Sequence, residues 1–341
     1  MLLTLLSLII LLSLFQARLK LKGFHDDYLV KDKTDSVKGI FILLIVLTHS
    51  MGYMHGYAYD QAGDACFKWL LACLSQLVVV MFLFYSGYGI SESFKKKGMD
   101  YVKKMPVHRI LTTLLNFDIA VVAFIILCLI FKVPITVEQS LLSLVAWESV
   151  GNSNWYIFVI LACYVLTYLV LMLRIRSQAL TIVAMLGLSL LLMFILAPLK
   201  PSYWYDTFLC FLAGYVFSIY RESIEAFLKK YYWLLTFLLL ILFGVLFYAT
   251  DGRNRMLFNL TGIVFAMLMI LLTMKLGIKN PILRWFGKNL FPVYIYMRVP
   301  MLIIEHTCPE MIAAQPAVFI LISLAITVFI AHLYRYWQVR L

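Results

Sequence analysis

Long apolar runs, about eleven of them separated by short polar joints, constrain this chain more than any other feature of its 341 residues. A helix that crosses the roughly 30 Å hydrocarbon core of a bilayer needs roughly 20 mainly apolar residues. Runs of that kind cover 1–17, 37–56, 66–90, 109–131, 155–173, 179–197, 204–220, 231–250, 256–275, 286–305 and 315–335. Composition agrees: 64% of residues are hydrophobic and only 13% charged, against about a quarter charged in soluble domains. The expectation is an all-α, polytopic membrane helix bundle of about 10–11 transmembrane helices.

The first run has no basic segment before it and no small-residue cleavage site. Its basic residues, Arg18, Lys20 and Lys22, follow the apolar part, so it reads as a retained helix with its amino terminus outside. Charge orders the rest. If the joints alternate sides, one set holds most of the 29 lysines and arginines, whereas the other has only Lys68, Lys132, Lys200, Arg253 and Arg255. The positive-inside rule makes the rich set cytoplasmic, with the amino terminus out, the carboxyl terminus in and an odd number of spans. The net charge of +12 is then a topology signal, and no nucleic-acid partner is expected. Six irregularly spaced cysteines form no CxxC pair and no Cys/His ligand cluster, so no metal site is expected. Cys66 and Cys308, both near the outer surface, leave a disulfide open.

Polar side chains inside the apolar runs are the informative ones, because an ionisable group there costs about 2.5–3.5 kcal/mol and ordinarily faces a cavity or a partner. In KGIFILLIVLTHS, His49 stands eleven residues beyond Lys38, roughly 16 Å along a helix and about 20° from full register, so both share one face. Position alone leaves His49 open as interhelical packing or as a reactive group. Arg298, in VYIYMRVP between Pro292 and Pro300, lies at a similar depth in a helix of the same direction. It is either a snorkelling cation or the binding partner of an anionic group. Gln76, Asn116 and Asp118 are further interior polar groups. His55, Asn152, Asn154, Trp155, Asp206, Arg253, Arg255, Glu305 and His306 fall at the outer rim. On the cytoplasmic side, Ser86, Gly87 and Gly89 of the SGYG stretch allow close backbone approach. A basic segment follows, with Lys95, Lys96, Lys97, Lys103, Lys104, His108 and Arg109. It suits either a phosphate-rich ligand or anionic lipid headgroups.

In this order the pieces resemble the acyltransferase-3 family of bacterial inner-membrane proteins, which O-acylate sugars and surface polymers from cytoplasmic acyl-CoA. The resemblance rests on KGIFILLIVLTHS, SGY, VHRIL, NSNWYIFVILACY and FGKNLFPVYIYMR, and spans about 35 to 335. It implies an extra amino-terminal helix at 1–17, a cytoplasmic linker at 18–36 and an acyltransferase-like membrane domain over 37–341. His49 matches the family's catalytic histidine, and Lys38 stands where arginine is common. Arg109 matches the second arginine of an RxxR motif whose first position is Pro106, with Lys103, Lys104 or His108 as substitutes. Trp155 and Tyr156 match a Trp-Phe pair, and Tyr296, Met297 and Arg298 replace a Tyr-Leu-Leu-His pattern.

The activity so implied is transfer of an acyl group, acetyl above all, from acyl-CoA to a hydroxyl of a glycan, glycolipid or surface polymer. His49, Arg298 and Asn154 are the expected catalytic residues. Lys38, Ser86, Gly87, Tyr88, Lys103, Lys104, His108 and Arg109 are expected at the CoA end, and Trp155, Asp206 and Glu305 at the acceptor end. Membrane lipids are expected partners, the bacterial plasma membrane the location, and a homo-oligomer is left open. A covalent acyl-histidine and direct transfer are equally compatible with these residues. The rival readings are a transporter or flippase that uses Arg298 and Asp118 as binding groups, and a non-catalytic relative.

Overall fold

The computed structural model describes residues 2–250 and 255–341. Arg253 therefore lies outside the described residues, as does the Arg255 side chain. Almost everything else is helix. The helices are α1 (Leu2–Leu14), α2 (Lys31–Met51), α3 (Ala62–Leu74), α4 (Leu77–Met105), α5 (Thr112–Ile130), α6 (Val137–Leu144), α7 (Trp155–Met172), α8 (Gln178–Leu196) and α9 (Leu209–Ile219). They continue as α10 (Arg221–Lys230), α11 (Tyr232–Ala249), α12 (Arg255–Lys275), α13 (Pro281–Lys288), α14 (Leu290–Tyr296), α15 (Arg298–Thr307), α16 (Pro309–Ala314) and α17 (Pro316–Leu333). Two-residue strands, β1 (Arg18–Leu19) and β2 (Leu276–Gly277), pair antiparallel and tie the linker after α1 to the end of α12.

The expected polytopic bundle is present. Among the described residues, seven segments are long and apolar enough to cross a membrane. The other expected spans differ for local reasons. Helix α1 has 13 residues, about 20 Å at 1.5 Å per residue, short of a full bilayer core. Helix α9 has 11 residues, and the run 286–305 is divided into α13, α14 and α15. Runs 66–90 and 109–131 fall in one helical stretch, Ala62–Ile130. It kinks inside α4 at Gly98 (φ 56, ψ −141) and also breaks between α3 and α4 at Ser75 (φ 38, ψ −126). Only glycine adopts the conformation at Gly98 without steric cost. The basic segment expected as an open joint is therefore helical on both sides of a one-residue corner.

The joints sort into two ends. At the basic end, Lys229 bonds Asp26 at 2.8 Å, Tyr28 donates to Glu225 at 2.8 Å, Arg284 donates to Asp32 at 3.0 Å and Lys95 reaches the Ser218 carbonyl. At the opposite end the Leu2 amide donates to Asp64 at 2.9 Å, and Lys200 bonds the Trp147 carbonyl and Glu148. This is the segregation that alternating spans require. All six cysteines, Cys66 and Cys308 included, are free.

Helix α2 is the axis of the bundle: 72% of its apolar window is buried, against 11% for α11 at the periphery. Two glycine-mediated crossings hold the centre. A Cβ on Gly39 would lie 1.9 Å from the Leu283 carbonyl oxygen, and one on Gly287 1.8 Å from that of Asp35, so α2 and α13 meet backbone to backbone. Gly87 and Gly214 do the same for α4 and α9, each facing a carbonyl at 1.9 Å. Small residues at such crossings gain close packing, the main attraction between helices once lipid has removed the hydrophobic one.

Candidate active site

Helix α2 with the turn that follows it and the α14–α15 segment meet in two rungs, set four residues apart along each segment. On the first, the His49 and Tyr294 rings stand edge to face with centroids 6.4 Å apart. On the second, Arg298 Nε donates to the Tyr53 hydroxyl at 3.0 Å, and the guanidinium lies 5.4 Å from that ring's centroid. Arg298 follows Tyr294 by four residues, about one helical turn, and Tyr53 stands in the turn just past the end of α2, its amide bonded to the Ser50 carbonyl. Between the rungs the second helix breaks at Met297. Pro300 has no N–H for the Tyr296 carbonyl, which accounts for a break at this place.

The start of α7 closes the site from a third side. Arg298 Nη1 donates to the Asn152 carbonyl at 3.2 Å. That carbonyl is fixed by a polar knot: Asn152 Oδ1 accepts the Val150 amide at 2.9 Å, Ser149 Oγ donates to the Asn152 carbonyl at 2.7 Å, and Gly151 takes φ 99. Asn154, the residue ahead of α7, spends its side chain on the Ala146 carbonyl at 3.0 Å. Arg298 is close enough to act electrostatically on both His49 and Tyr294. Three polar atoms here, Tyr294 Oη, Ser153 Oγ and Asn152 Nδ2, are buried and make no hydrogen bond of good geometry among the described residues, the Tyr294 and Ser153 hydroxyls lying close to each other. Such atoms are few in folded proteins, and each calls for a bound water, an ion or a functional role. The His49 ring likewise makes no hydrogen bond among the described residues.

Toward the basic end, a cavity of about 530 Å³ opens beside α2. Lys31, Lys38, Arg109 and Lys288 supply its cations, Ser86, Ser93, Tyr85, Tyr156 and Tyr164 its hydroxyls, and no carboxylate lines it. Lys38 is held by Asp35 at 2.6 Å and Lys288 by Asp32 at 3.4 Å, so the positive field is partly offset from behind. Arg109 sits near the hydroxyls of Tyr101 and Tyr164. It also borders a second cavity, of about 710 Å³, together with Lys96, Lys97, Lys104 and His108. Arg109 and His108 ride on a π-helical turn, Pro106–Leu111, where the wider i→i−5 pattern follows a proline that cannot donate. Tyr156 connects the two halves: it lines the first cavity, and its ring lies 5.3 Å from that of Tyr294.

The structure thus brings Lys38, Ser86 and Arg109 to one cavity, Lys104 and His108 to its neighbour, and His49 to Arg298. Glu305 stands within electrostatic reach of Tyr53. Other expected residues lie elsewhere. Gly87 packs on Phe211, and Tyr88 accepts from Arg221 at 3.0 Å. Lys103 is exposed. Trp155 faces Tyr203, with centroids 5.9 Å apart, and Asp206 is buried at the turn before α9, beside Cys210. Asn116 clamps the backbone of Val339 at 2.9 Å in both directions. No ion pair or hydrogen bond joins Asp118 to Arg298 among the described residues. Tyr53, Tyr294 and Ser153 were not singled out in the sequence, nor were Lys31 and Lys288 as cavity residues. The four-residue steps from His49 and back from Arg298 were the available signal.

A helix bundle with this internal site is a multi-pass membrane protein, and comparison with known families defines its class as an acyltransferase. A family model described as an acyltransferase domain matches residues 32–335, and the chain belongs to the acyltransferase-3 family. The match begins in the first turn of α2 and leaves α1 and the residues between α1 and α2 outside it. No curated protein and no solved structure matches the chain.

Proposed function

We propose that the protein transfers a short acyl group, acetyl above all, from acyl-CoA at its basic end to a hydroxyl of a glycan, glycolipid or surface polymer at the other. The observation that carries this reading is the layout of α2, which lends Lys38 to the cationic cavity and His49 to the site of buried polar atoms. CoA phosphates suit Lys31, Lys38, Arg109 and Lys288, whose charges converge without a lining carboxylate. The thioester then extends past Tyr156 toward His49. His49 Nε2 or Nδ1 removes the acceptor proton as the acceptor oxygen bonds the thioester carbon, the C–S bond breaks, and the proton passes to the departing thiolate. Arg298, pre-aimed by Tyr53 and the Asn152 carbonyl, stabilises the charge that develops on the carbonyl oxygen. Tyr294 and Ser153 hydroxyls orient the acceptor. In a cell this places the basic end at the cytoplasmic face of a bacterial plasma membrane.

Proteoliposomes supplied with labelled acetyl-CoA and a membrane glycolipid extract test the reading. The intact protein should label an acceptor, and His49→Ala should lower the rate by about 10²–10⁴-fold, the usual worth of a positioned base. Acyl transfer that survives His49→Ala unchanged would overturn it, as would acceptor flux without acylation.

A further inference from the structure

A third cationic cavity, of about 720 Å³, lies at the basic end against the linker between α1 and α2. Arg18, Lys20, Lys33 and Lys279 border it together with His25 and Asp27. Topology explains exposed lysines on this side, but not Lys33. That residue is 8% exposed, and its ammonium has no hydrogen-bond partner; the nearest carboxylate oxygen, of Asp27, is 3.7 Å away. A buried ammonium carries three donors, and leaving them unmade is costly. Space for it is preserved: a Cβ on Gly277 would stand 2.9 Å from Lys33 Nζ. Arg18 and Lys279 have no ion-pair partner among the described residues. Asp26 also borders the cavity, but Lys229 binds it and holds its carboxyl below the usual carboxylate range.

We propose that this cavity is a binding site for a phosphate-type anion, with Lys33, Arg18 and Lys279 as its ligands. It is separate from the donor cavity, because Lys31 and Lys38 face that cavity while Lys33 faces this one. Leu19 and Leu21 alternate with Arg18 and Lys20 and are 63% and 77% exposed. Apolar side chains set beside Arg18 and Lys279, which have no ion-pair partner among the described residues, favour a lipid headgroup as the source, with the acyl chains against α1.

The test uses the full-length protein in detergent micelles with three probes: dioctanoyl phosphatidylglycerol, dioctanoyl phosphatidylcholine and inorganic phosphate. Bound lipid is counted by native mass spectrometry, and affinity is followed by the shift of the unfolding midpoint. Phosphatidylglycerol should bind in preference to phosphatidylcholine, and the double change Arg18→Gln, Lys279→Gln should weaken it about tenfold. Lys33→Met, which removes the buried charge while keeping its volume, should do the same, whereas His49→Ala should leave binding unaltered. Inorganic phosphate that binds with the same dependence on these variants assigns the site to a soluble phosphate ester instead of a lipid. If no probe distinguishes the wild-type protein from either variant, the proposal falls.

Discussion

Two acceptors set where Arg298 points: the Tyr53 hydroxyl takes Nε and the Asn152 carbonyl takes Nη1. A hydrogen bond to a charged group contributes about 1.5–3 kcal/mol, so Tyr53→Phe should slow turnover by about tenfold or more. Arg298→Gln should cost more, about 10²–10³-fold, as does loss of an oxyanion donor elsewhere. Initial rates at saturating acetyl-CoA would show this order; equal rates for Tyr53→Phe and wild type would remove Tyr53 from the account. The sequence marks Lys38, His49 and Arg298 because a charged or ionisable side chain stands out in an apolar run. It does not mark Tyr53 or Tyr294, which are two of 21 tyrosines and acquire meaning only when two helices align. Asn152 is harder still to read, since its contribution to Arg298 is a backbone carbonyl.

Among the helices, the contacts of glycine separate what the sequence could show from what it could not. Close backbone approach at Gly87 was legible; the approaching group is the Phe211 backbone of α9. Gly39 and Gly287 set the α2–α13 crossing, and with it the positions of Lys38 and Lys288 at the cationic cavity beside α2. Inserting a methyl into a well-packed contact costs about 1–3 kcal/mol or more, so Gly39→Ala should lower the thermal midpoint in detergent. Gly187→Ala, where nothing lies within 4 Å of the added Cβ, should not. Equal midpoints would mean the crossing relaxes freely. The corner at Gly98 is hidden for a different reason: the lysines and methionine beside it are good helix formers, and a single positive φ leaves no periodic trace. The break at Met297, by contrast, was foreshadowed by Pro292 and Pro300.

For the molecule as a whole, hydropathy and the distribution of lysine and arginine were enough to give a multi-pass bundle with one basic end. What they could not give is depth of burial. Helix α2 is no more apolar than its neighbours, yet it is the most buried of the spans, because its neighbours reach it through glycine contacts and aromatic rungs distributed over the chain. The central claim is that this one helix binds the donor with one residue and reacts with another. Binding of acetyl-CoA and turnover, measured on the same purified variants, test it most directly. Lys38→Met should weaken acetyl-CoA binding by about 10–100-fold, the worth of a charge-assisted contact. His49→Ala should leave that binding within about twofold of wild type while turnover is lost. If His49→Ala instead abolishes acetyl-CoA binding, or Lys38→Met leaves it unchanged, the division of labour along α2 is contradicted.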